Sequence, residues 1–91
     1  MYNPDVTEPD HDKIVIISDP ITPARLSEMA EESFGDMVKA VVDTKQRLLA
    51  LGGGLHSDEE AALLSQGSLQ ADLWGINIYP EKSRSEWVEF D

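Results

Sequence analysis

His56, Asp58 and Glu60 stand close together in the chain, and His56 and Glu60 are four residues apart. That spacing sets two side chains on one face of a helix. An imidazole beside carboxylates suits zinc, manganese or iron, and a distant carboxylate such as Asp19 or Asp72 would complete the shell. The same segment has a plainer reading. Ser57-Asp58-Glu59-Glu60 has the pattern of a capping box, with the Ser57 hydroxyl accepting from the Glu60 N–H and the Glu60 carboxylate reaching back. Asp58 and Glu59 would then answer the helix dipole. The cap accounts for most of the turn without any function, and His56 is the residue it leaves over.

Other chemistries at this turn are weaker. Gly52-Gly53-Gly54 ahead of a helix suggests an anion-binding loop, but three carboxylates crowd the same end and no lysine follows the glycines as a P-loop requires. Acid–base catalysis would need His56 to share a cleft with Asp19 or Asp72, which sequence spacing does not supply. Ser57 beside His56 gives no reason for a triad geometry. The chain has no cysteine, which removes disulfides, thiolate metal sites and cysteine nucleophiles together and agrees with a cytoplasmic setting.

The elements that must hold this turn follow from patterning. Residues 1–12 join two prolines to several acidic side chains with no apolar period and read as a disordered acidic arm; His11 lies in it between two aspartates. Residues 13–91 read as a single domain. Ile14 to Ile17 is apolar on both parities, as in a strand buried on both faces, and Pro20 forbids its continuation. Thr22-Pro23 is a hydroxyl N-cap followed by proline at the first helical position. Leu26, Met29, Ala30 and Phe34 then form a helical stripe expected in the core, ending at Gly35.

Residues 37–51 admit two readings. As a helix, Met37, Val38, Val41, Val42, Leu48 and Leu49 recur near the helical period. As a hairpin, Val38, Ala40 and Val42 alternate with Lys39 and Asp43, and Thr44-Lys45-Gln46 makes a turn that lacks glycine or asparagine. Beyond the glycine triplet, a second helix runs through Leu63 and Leu64 to Gly67. Ser68 to Asp72 is a polar connection anchored by Leu69. Trp74, Ile76 and Ile78 alternate in a strand that Pro80 ends, and Trp87 to Phe90 begins another. Trp74, Tyr79 and Trp87 are core or sheet edge in the ordinary case, and a contact surface where exposed.

A formal charge of −11 limits partners more than fold. The seven basic residues are scattered, so duplex nucleic acid and anionic membranes are poor partners. No apolar run approaches the roughly 20 residues of a spanning helix. A chain of 91 residues buries roughly 60–65% of its unfolded surface on folding, enough for one modest core.

ISDPIT at 17–22, FGDMVKAVVD at 34–43, the GGxLHSDEE pattern at 52–60, GSLQADLWGINIYP at 67–80 and WVEFD at 87–91 together resemble a family of small bacterial domains of unknown function. The resemblance implies no activity. It does imply a glycine in the segment matching Thr44 to Arg47, which favours the hairpin over the helix. It also implies a further strand and a basic stretch beyond the segment matching Glu89-Phe90-Asp91, so the chain reads as C-terminally truncated.

The expectation is therefore an α+β domain of order β-α-β-β-α-β-β, a small, mostly antiparallel sheet with two helices on one face. The leading functional reading is a non-enzymatic protein-interaction module that engages a protein partner, or itself, through its acidic surface or its last edge strand. The alternative is a small metal-dependent enzyme or divalent-cation-binding domain centred on the Gly52–Glu60 turn, with His56, Asp58 and Glu60 as ligands. No cofactor other than a divalent metal is expected.

Overall fold

The computed structural model describes residues 14–90. The arm at 1–12, with His11, lies outside them. Five strands and two helices follow the expected order: β1 (Val15–Ile17), α1 (Pro23–Glu32), β2 (Val38–Asp43), β3 (Leu48–Leu51), α2 (His56–Ser65), β4 (Leu73–Ile78) and β5 (Val88–Phe90). Every strand pairing is antiparallel, and the spatial order is β1-β3-β2-β4-β5. None of the described helices is long and apolar enough to cross a membrane.

The hairpin reading of 37–51 is the one adopted. β2 pairs with β3 from Ala40–Leu51 to Asp43–Leu48 across a turn at 44–47. The turn closes without glycine because Arg47 takes a left-handed backbone, φ 59°, and because Asp43 binds the turn from within. Its Oδ1 accepts the Lys45 and Gln46 N–H groups at 2.9 and 2.8 Å. Its Oδ2 accepts the Ser68 hydroxyl at 2.6 Å and the Gln46 amide at 3.0 Å. Asp43 has no exposed surface. These hydrogen bonds to the ionised form hold its carboxyl below the usual range. Alternation alone had placed it outside. Ser68, also buried, anchors the α2–β4 connection, and Leu69 points to solvent instead.

Helix α1 starts as read. Thr22 accepts from the Arg25 N–H at 3.1 Å, Pro23 opens the helix, and Gly35 (φ 93°) returns its N–H to Ala30 at 2.7 Å. Leu26, Met29 and Ala30 are buried, but Phe34 falls past the helix end and is exposed, with the Lys39 ammonium 5.3 Å from its ring centre. β1 is an edge strand rather than a central one, and Val15 is exposed.

The two helices lie on opposite faces of the sheet, not on one. By register, Val38, Ala40, Val42, Leu49, Leu51, Ile76 and Ile78 share a face. Leu26, Met29 and Ala30 of α1 pack there. Val41, Ala50 and Ile16 point the other way and meet Leu63 of α2. The reason is physical: consecutive Val41 and Val42 in β2, and consecutive Ile16 and Ile17 in β1, make both faces apolar. A sheet apolar on both faces needs cover on both.

Candidate functional site

The turn from Gly52 to Glu60 is built around a residue the sequence reading had left on the surface. α2 begins at His56, two residues earlier than the capping box requires; Leu55 occupies the N-cap position and no side chain caps the helix. The carboxylate that reaches back is Glu59, not Glu60. Its Oε2 accepts the Gly53 N–H at 2.9 Å, and its side chain has no exposed surface. The other oxygen, Oε1, is buried with no hydrogen-bond partner among the described residues. Burial pushes this carboxyl from its ordinary 4.5 up to about 8, against the opposing pull of the Gly53 N–H and the Lys39 charge. Gly53 makes room for it, since a Cβ there would lie 3.1 Å from both Glu59 Cγ and Ile14 Cγ1.

Two of the expected metal ligands, His56 and Glu60, also make hydrogen bonds within the fold. His56 Nε2 lies 2.8 Å from the Ile76 carbonyl, an acceptor, so the proton sits on Nε2 and the ring ties the start of α2 to β4. Glu60 Oε1 accepts from the Gln70 amide at 3.3 Å, and Asp58 lies in the first turn of α2. No group of three or more His, Cys, Asp or Glu side chains placed to hold a metal ion occurs among the described residues, Asp19 and Asp72 included.

The second candidate lies on the face that α1 covers only in part. Beyond the helix, Val42, Thr44, Leu49, Trp74, Ile76, Ile78, Val88 and Phe90 line an open groove of about 510 Å³ with no charged side chain in its lining. Trp74 is 55% exposed, Val88 48% and Phe90 72%, which is far from a core environment. Trp74 and Phe90 meet edge to face, ring centres 6.3 Å apart. β5 stands at the end of the strand order, so its outer edge has no strand beside it among the described residues.

The connection before β5 is firmly set. Trp87 donates its indole N–H to the Lys82 carbonyl at 2.8 Å, and the Tyr79 N–H bonds to the Trp87 carbonyl at 2.7 Å. Trp87 packs against the α1 cluster, so of the aromatics singled out in the sequence Trp74 is the exposed one. On the opposite face of β5, Glu89 Oε1 accepts from Asn77 Nδ2 at 3.0 Å and from the Tyr79 hydroxyl at 3.1 Å. Those two donors hold the Glu89 carboxyl below its usual range, and the hydrogen bond to Glu89 raises the Tyr79 hydroxyl above its own.

Sequence reasoning found the strands that form the groove but not the groove, because exposure of Trp74, Val88 and Phe90 depends on where α1 stops. The buried Glu59 had one available signal, the run of glycines six residues ahead of it. Neither a curated protein nor a solved structure matches the chain. Over residues 15–91 it belongs to a family described as protein of unknown function, DUF5674.

Proposed function

We propose that this chain is a non-enzymatic protein-interaction module that engages a protein partner through the uncovered apolar groove and the outer edge of β5. The observation that carries the reading is the cluster of Trp74, Val88 and Phe90, each about half exposed or more, around a groove without a charged lining residue. Apolar side chains grouped in this way beside an open sheet edge have the chemistry of a contact surface, whereas isolated exposed apolar residues are ordinary. The cysteine-free composition fits a cytoplasmic setting for that partner.

The test compares the wild-type chain with the Trp74→Ser, Phe90→Ser double variant and with Leu64→Ser, which removes an exposed apolar residue of α2 on the other side of the sheet. Capture of proteins from a host-cell lysate is read alongside circular dichroism. A protein retained by wild type and by Leu64→Ser, and lost from the double variant with its fold intact, supports the reading. Equal capture by all three overturns it.

A further inference from the structure

Resting on that interaction reading, we infer that the partner presents an extended segment in which apolar and basic residues alternate, added as a strand to the outer edge of β5. The register fixes the pattern. Val88 and Phe90 pair with Ile78 and Ile76 and so face the groove, while Glu89 pairs with Asn77 and faces the other way. A strand laid against β5 places alternate side chains on the groove side, next to Val88 and Phe90, and the intervening ones beside the Glu89 carboxylate. Cross-strand neighbours stabilise a sheet when apolar meets apolar and opposite charges meet. Both protein hydrogen bonds to Glu89 fall on Oε1, which leaves Oε2 directed by neither Asn77 nor Tyr79.

A second copy of this chain is the poorer occupant. β5 against β5, paired about Glu89, sets two carboxylates directly opposite one another in molecules that each have a formal charge of −11. A lysine or arginine opposite Glu89 reverses that repulsion, and the net charge of the domain draws such a segment in.

The experiment uses labelled eight-residue peptides of alternating valine and lysine, alternating valine and glutamate, and the valine–lysine composition with the alternation scrambled. Binding is read by fluorescence anisotropy and located by backbone amide shifts. The alternating lysine peptide is expected to bind at least ten-fold tighter than either other peptide, with shifts centred on Val88 to Phe90. Glu89→Gln, which keeps an acceptor for Asn77 and Tyr79, should shrink the lysine preference, and Glu89→Lys should reverse it. Equal affinity for the lysine and glutamate peptides, or a preference unmoved by Glu89→Lys, overturns the inference. So does a β5-mediated dimer that excludes all three peptides. If no peptide binds while face-dependent protein capture persists, the strand chemistry is wrong and the interaction reading stands; if that capture is absent too, both fall.

Discussion

Glu59 is the residue whose chemistry departs furthest from its appearance in the sequence. In a run of acidic residues at a helix start it reads as a solvated charge, yet it is buried and protonated at neutral pH. Its folded-state pKa lies above the unfolded value, so its contribution to stability is fully present below about 4.5 and is lost as pH rises through about 8. A difference of that size amounts to roughly 5 kcal/mol across the window. Urea unfolding at pH 5, 6.5 and 8.5 should show wild-type stability falling steadily. Glu59→Gln, neutral throughout and still able to accept from Gly53, should flatten most of that slope. An unchanged slope would mean that another group titrates there.

At the scale of the element, the β2–β3 hairpin shows how a turn forms without its usual residues. Asp43 supplies side-chain acceptors for the turn amides, and Arg47 adopts the left-handed backbone that glycine takes more readily. Arg47→Gly should therefore raise stability by about 0.5–1 kcal/mol, because a side chain in that conformation carries a steric cost. Lys45→Gly, two residues earlier, has no such strain to relieve and should not stabilise; the urea midpoints of the two variants decide the matter. The sequence made the alternation of β2 legible, and local propensity left helix and hairpin open. The missing information was in Asp43, whose partners Gln46 and Ser68 lie 3 and 25 residues further along the chain. Similarly, the start of α2 was misplaced by two residues because Ser57 and Glu60 match a cap that loses to the burial of Glu59.

For the whole molecule, strand order and helix placement decide what is covered. The class and most of the element order were readable from periodicity and turn residues, while the hairpin at 37–51 was favoured only by the family resemblance. Placement of the helices on opposite faces was written in the paired apolar positions of β1 and β2, but extent of cover was not, since it depends on where α1 crosses the sheet. β2 is enclosed by β3 and β4 at its sides and by apolar layers above and below, and Val38, Ala40 and Val41 have no exposed surface. Among the described residues β5 has one neighbouring strand, and all of its side chains are exposed. Amide hydrogens should register this as time: those of β2 exchange with deuterium only through global unfolding, while those of β5 exchange through local opening, orders of magnitude sooner. The edge proposed for partner binding is thus also expected to be among the first parts of the sheet to breathe. A strand bound there should slow exchange from Val88 to Phe90 while leaving the ranking of β2 as the slowest element unchanged.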